Sequence, residues 1–255
     1  MRAMPKIPVV FLHGLGGSSV DWNAVGKILV KSHPVVSLDL PGGAKALWRG
    51  GYDPASLAGW LAIALDEKKA PRIHLVGHSL GGRVAGEFAA RDGSRVASLT
   101  LVSPLGASGY SLGDRMKWKA MSRAALIRNV PESKMRSALG YGFVDEDSAA
   151  ARGFVDRAME ARTGAKGAAA LAALEKSVDG VLDAPPLTER LRRTVAPLLL
   201  LGGSDDPLAP IEETAEIRTA RPDAKLTTLI GQGHYPMLED PARLATALRS
   251  FLGSA

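Results

Sequence analysis

Val76-Gly77-His78-Ser79-Leu80-Gly81-Gly82 is the stretch that decides how the rest of the chain is read. A short, largely apolar run, residues 73–76, precedes the turn, and Val84, Ala85, Phe88 and Ala89 follow at helical spacing. A strand, a sharp turn and a helix therefore meet at a serine. So tight a turn forces Ser79 into a strained backbone conformation and leaves its Oγ alone above the sheet. Gly77 and Gly81 flank it because a β-carbon at either place collides as strand and helix converge. The N-terminus of the following helix aims amide donors and partial positive charge at a developing oxyanion. The competing reading is a phosphate-binding turn of a doubly wound fold. It fails on the residues, since no Gly-Lys-Ser/Thr follows and no G-x-G-x-x-G is present.

Working outward, residues 7–12 read as a buried parallel strand, apolar on both faces, ending in His13-Gly14-Leu15-Gly16-Gly17. Ser18 or Ser19 caps a helix bearing Trp22, Val25, Ile28 and Leu29. Residues 35–40 form a second strand, broken by Pro41-Gly42-Gly43, and a loop runs on to Pro54. A helix over 56–69 carries Leu57, Trp60, Leu61, Ala64 and Leu65 on one stripe. Residues 96–102 give a fourth strand, closed by Ser103-Pro104. From about Gly106 to Arg190 strand-like runs vanish, and breaks at Pro131, Gly140-Tyr141-Gly142, residues 164–167 and Pro185-Pro186 divide about four short helices. This insertion holds Leu112, Met116, Trp118, Met121, Leu126, Phe143, Phe154 and Leu174, so it is folded rather than a linker. A strand over 196–201, a helix over 211–220 and a strand over 225–230 restore the alternation. The loop Gly231-Gln232-Gly233-His234-Tyr235-Pro236 then leads to a last helix, capped by Asp240 with Pro241 as its first residue. The expected fold is α/β: a mostly parallel sheet of about six to eight strands flanked by helices, with a helical segment inserted after the fourth strand. Residues 1–105 and 191–255 make the core domain and 106–190 the insertion.

Composition narrows the function. The chain has 255 residues, 46% of them apolar, and no cysteine, which removes disulfides, thiolate nucleophiles and zinc–thiolate sites. Its net charge of +6 is spread without a basic run or an aromatic–basic motif, so no nucleic-acid partner is expected. The apolar run near the start is too short for a signal-peptide core, and the longest, 195–201, contains Pro197 and falls far short of a membrane span. A cytoplasmic monomer or homodimer acting on a small molecule, away from membranes, is the expectation. The five histidines are scattered with no ligand spacing, so neither metal nor cofactor is expected.

Two more places carry chemistry. His234 stands in a Gly-flanked loop after the last strand, with room for an exposed imidazole. Asp205 and Asp206 both follow the strand over 196–201, and either could orient His234 by accepting from its Nδ1. His33 precedes Pro34 in a surface loop, and His74 lies inside a strand. The order Ser, Asp, His is the one found on strand–turn–helix serine folds.

From Val9 to the C-terminus the chain resembles the α/β-hydrolase superfamily, as a capped serine esterase-like member. The resemblance is carried by His13-Gly14, Asp39-Leu40-Pro41-Gly42, Gly77-His78-Ser79-Leu80-Gly81-Gly82, the Gly203, Asp206 and Pro210 spacing, and Gly233-His234 with Glu239-Asp240-Pro241. It implies Ser79 as nucleophile, His234 as base and Asp206, rather than Asp205, as acid. It also implies an oxyanion hole from the backbone amides of Leu15 and Leu80, and a helical cap over the pocket. His13, His78, Arg83 and Trp118 are the candidate substrate contacts. The chain departs from the family at Gly43-Ala44-Lys45-Ala46, where relatives carry His-Gly-x-Ser, and lacks their N-terminal hairpin, which points to about six strands. The leading reading is a hydrolase of a small carboxylic ester. The alternative, on Ser79-Leu80-Gly81-Gly82-Arg83, is a C–C bond hydrolase or lyase resembling the menaquinone-pathway synthase, with Arg83 holding a carboxylate. A non-catalytic receptor on this fold is disfavoured because serine, acid and base are all kept.

Overall fold

The apolar runs pair as parallel strands in a computed structural model that describes residues 6–42, 48–126, 131–163 and 167–253, without the side chains of 121–126 and 163. The strands are β1 (Val9–Leu12), β2 (Val35–Leu38), β3 (Ile73–His78), β4 (Val96–Val102), β5 (Leu198–Gly203) and β6 (Lys225–Leu229). Among the described residues they form one six-stranded sheet in the order β2-β1-β3-β4-β5-β6, every pairing parallel. The order reverses beside β1 and β3, and the crevice at such a reversal, past the strands' carboxyl ends, is where ligands bind in open α/β sheets.

Strand side chains alternate between two cores. Val10, Leu12, Leu75, Leu99, Leu101, Leu198 and Leu200 face one core. There they meet Leu57 and Leu61 of α2 (Pro54–Glu67), Val84 and Phe88 of α3 (Leu80–Arg91), and Leu187. Val9, Phe11, Val76, Val102, Leu199 and Leu201 face the other. That face is covered by Val25 and Leu29 of α1 (Asn23–Leu29) and by Leu244 and Leu248 of the C-terminal helix Pro241–Leu252. The central strands β1, β3, β4 and β5 are buried throughout, which is why they read as largely apolar runs without a polar face.

The insertion between β4 and β5 is helical. Its described helices are α4 (Leu112–Leu126), α5 (Glu132–Gly140), α6 (Ala149–Thr163), α7 (Gly167–Asp183) and α8 (Leu187–Leu191). The count exceeds the expected four because α8 starts immediately after the Pro185-Pro186 break. It packs on α3, where a β-carbon on Gly86 would stand 2.5 Å from Leu187 Cδ1. Beyond β5 come α9 (Ile211–Glu216), α10 (Pro236–Glu239) and α11 (Pro241–Leu252). Several boundaries differ from expectation: β1 starts at Val9, β5 runs Leu198–Gly203, β6 ends at Leu229 and α9 ends at Glu216. The second strand ends at Leu38, and α2 starts at Pro54 because Asp53 caps it, accepting from Ser56 N (3.0 Å) and Ser56 Oγ (2.6 Å). Residues 43–46 and the side chains of Met121 and Leu126 lie outside the described residues. Among those described, no helix is long and apolar enough to cross a membrane.

Candidate active site

Ser79 sits between β3 and α3 at φ 53°, ψ −117°, a conformation L-residues rarely hold. The close approach that imposes it is visible at the flanking glycines. A β-carbon on Gly77 would lie 2.2 Å from Gly81 O, and one on Gly81 2.5 Å from His13 O. The Ser79 amide donates to Val102 O at 3.0 Å, tying the turn to β4.

His234 follows β6 and Asp206 follows β5, and the sheet order brings both to Ser79. His234 Nε2 is 3.0 Å from Ser79 Oγ, and His234 Nδ1 is 2.9 Å from Asp206 Oδ2 and 3.1 Å from Oδ1. Asp206 Oδ1 also accepts from Leu208 N and Ala209 N, each at 2.9 Å. Burial alone would raise the Asp206 carboxyl. The charge and hydrogen bond of His234 and the Ala209 amide outweigh it and hold the group below the usual carboxylate range. Asp205 stays exposed and accepts from Ser204 Oγ at 2.8 Å.

The His234 imidazole is not exposed, contrary to expectation; the residue is 2% accessible. Its amide donates to Gly142 O of the insertion (2.7 Å), and Tyr235, edge-on to it, stacks on Phe143 at 4.4 Å between centroids. Glu239, which the sequence reading left without a role, clamps the same loop: its carboxylate accepts from Gly233 N (2.9 Å) and Tyr235 N (3.0 Å).

A profile of the alpha/beta hydrolase family matches residues 9–247. The chain belongs to that family. Among relatives of this hydrolase-family chain, a monoacylglycerol lipase, ABHD6 of Rattus norvegicus, is 27% identical over 265 residues, covering 98% of this chain and 76% of that protein. The dihydrolipoyllysine-residue acetyltransferase component of the acetoin cleaving system of Cupriavidus necator is 40% identical over 111 residues. That match covers 41% of this chain and 30% of that protein. A thermophilic esterase from Thermogutta terrifontis superimposes with a TM-score of 0.84 at 21% identity, covering 98% of this chain and 90% of that one.

In this α/β-hydrolase-family chain a cavity of about 710 Å³ opens beside the elbow, with Leu15 and Leu80 on its wall and α6 and α7 of the insertion opposite. The four candidate substrate contacts fall differently. His13 lines the cavity, but its Nδ1–H donates to Gly14 O (2.8 Å) and its Nε2 accepts from Leu40 N (2.9 Å), so both nitrogens serve the backbone. His78 is not part of that wall. Its Nε2–H donates to His234 O (2.7 Å) and its ring lies 4.7 Å from that of His234. Burial, then the nearby His234, pushes the His78 pKa well down, so it is neutral. Arg83 is fully buried and committed elsewhere. Its Nη2 donates to Glu87 Oε1 (2.8 Å) and Pro185 O (2.6 Å), and its Nη1 to Gly106 O (3.3 Å). Trp118, on α4, packs edge-on against Tyr110 at 6.3 Å and lies off the cavity wall. No cluster of three metal-ligating side chains occurs among the described residues.

Proposed function

We propose that this protein hydrolyses a small carboxylic ester through a Ser79–His234–Asp206 triad. The observation that carries the reading is the unbroken hydrogen-bond path from Ser79 Oγ through both imidazole nitrogens to a buried carboxylate. Asp206 accepts from Nδ1–H, which leaves Nε2 as the acceptor facing the serine. Ser79 Oγ attacks the ester carbonyl while His234 takes its proton. The tetrahedral oxyanion is held by the Leu15 and Leu80 amides, each donor of this kind contributing about 3 kcal/mol. The C–O bond to the alcohol breaks, and His234 returns the proton to the leaving oxygen. Water, deprotonated by the same imidazole, then cleaves the acyl-enzyme and restores Ser79. Residues 106–190 act as the cap that closes the cavity over the acyl group.

Arg83 weighs against the C–C bond hydrolase or lyase reading. A fully buried guanidinium, off the cavity wall and already paired with Glu87 and two carbonyls, is not placed to receive a substrate carboxylate. The test is turnover of p-nitrophenyl esters from acetate to long acyl chains by wild type and Ser79→Ala. Short esters should be hydrolysed, and the variant should lose at least about 10³-fold in kcat. A folded wild type inert on the whole series would end this reading.

A further inference from the structure

Two arginines of α6, Arg157 and Arg162, stand on the cavity wall. Arg157 is paired: it donates to Asp21 at 2.9 Å. Arg162 is not. Its Nη1 donates to Ala158 O one turn back in the same helix (2.9 Å), and its buried Nε–H has no acceptor. Burial lowers its pKa, and the titratable group opposing that is the Tyr235 phenol, with no carboxylate acting on it. None of the residues outside the described set is Asp or Glu, so no undescribed side chain supplies one. The acidic groups on the wall are occupied or peripheral. Asp21 faces Arg157, Asp39 accepts from Ser19 N at 2.7 Å, and Glu160 is exposed. Cations drawn largely out of water are ordinarily paired, because desolvation without a counter-charge is unfavourable. A guanidinium on the cavity wall with no carboxylate against it among the described residues is therefore a seat for an arriving anion, and its planar fork matches a carboxylate.

Its position says where on the substrate that anion lies. A β-carbon on Gly16 would stand 3.6 Å from Arg162 Nη2, and Gly16 directly follows Leu15 of the oxyanion site. The cavity wall includes Leu15 and Leu80 but not His234. The leaving oxygen must depart on the imidazole side, since His234 protonates it. The cavity, whose wall carries Leu15 and Leu80 and lacks His234, is then the room left for the acyl group.

We propose that Arg162 binds a carboxylate at the far end of the acyl group, which makes the substrate a half-ester of a short dicarboxylic acid. The proposal rests on the hydrolase reading above. It is tested by the ratio of kcat/KM for ethyl hydrogen succinate to that for ethyl levulinate, in which an acetyl group replaces the carboxylate. A charged hydrogen bond of the usual strength sets the wild-type ratio at about tenfold or more. Arg162→Gln should bring the ratio near one. Arg162→Lys, which keeps the charge without the fork, should fall between, and it replaces the glutamine variant if a thermal melt shows that one unfolded. A wild-type ratio near one, or a ratio that neither substitution moves, overturns the proposal. If wild type turns over neither ester, calorimetric titration with succinate decides. Binding that weakens at least tenfold in the Arg162 variants keeps the anion site while the hydrolase reading falls, and no binding to wild type removes the anion site as well.

Discussion

His78 adjoins Ser79 in sequence, yet its hydrogen bond goes to the loop of His234. Its Nε2–H holds the His234 carbonyl at 2.7 Å while Gly142 O holds the His234 amide, so one residue is fixed from the core and from the insertion at once. Phenylalanine at position 78 would keep most of the ring packing and remove the donor. A buried carbonyl left unpaired costs about 1–3 kcal/mol. We expect His78→Phe to lower kcat about tenfold through a loosened imidazole, with KM little changed because the side chain lies off the cavity wall. His78 is neutral, so the acid limb of the pH–rate profile should keep its midpoint in the variant. A variant with wild-type kcat would show that the loop holds His234 without it.

At the scale of elements, two of the places where the insertion is fastened to the core bear on the site. One is the His234 loop, where a β-carbon on Gly142 would meet the Tyr235 ring at 2.6 Å. The other is α3, whose Arg83 reaches Pro185 O at the insertion's far end and forms a buried pair with Glu87, while Glu87 also meets Arg190 of α8 at 3.3 Å. Removing one partner of a buried pair typically costs 3–5 kcal/mol, because the other is left charged and unpaired. Arg190, about one-third exposed, still faces Glu87 and keeps the expected loss near about 3 kcal/mol for Arg83→Met. Urea unfolding should show that loss while KM for short esters stays put. A raised KM at unchanged stability would instead restore Arg83 as a substrate contact. Elements were readable from sequence where local rules decide them: Asp240 caps α11 by accepting from Arg243 N at 2.9 Å, with Pro241 first in the helix. Helix α8 escaped because its five residues carry too little periodicity, and only packing on α3 makes them a helix.

Across the whole molecule, the sequence exposed the parts of the site that strand ends and glycines dictate, and hid those that depend on how the insertion folds back. Ser79, Asp206 and His234 each follow a strand of the sheet, so topology alone brings them near one another. Arg162 meets the Gly16 loop only because α6 lies across it, and no local pattern records that contact. Burial of the imidazoles was equally invisible, and it has a consequence for global stability. His13, His74 and His78 are 5%, 6% and 1% accessible. Desolvation lowers all three pKa values, that of His74 to about 4. A folded pKa below the unfolded one means that the unfolded chain binds protons first. The stability is therefore complete above about pH 6.5, the ordinary histidine value, and is lost as pH falls below it. His74, held near 4, contributes a slope of up to about 1.4 kcal/mol per pH unit between the two values, and His13 and His78 add in the same direction. Urea unfolding at pH 7 and pH 5 should differ by several kcal/mol, before most carboxylates titrate. His74 separates this cause from others, because it lies near the start of β3, at the end remote from Ser79, paired with Ser98 Oγ at 2.8 Å. In His74→Gln the pH 7 to pH 5 difference should shrink by about 2 kcal/mol, since the imidazole held near 4 no longer titrates on unfolding. Equal stability at the two pH values in wild type, or an unchanged difference in the variant, would show that the buried imidazoles do not set the acid limit of this fold.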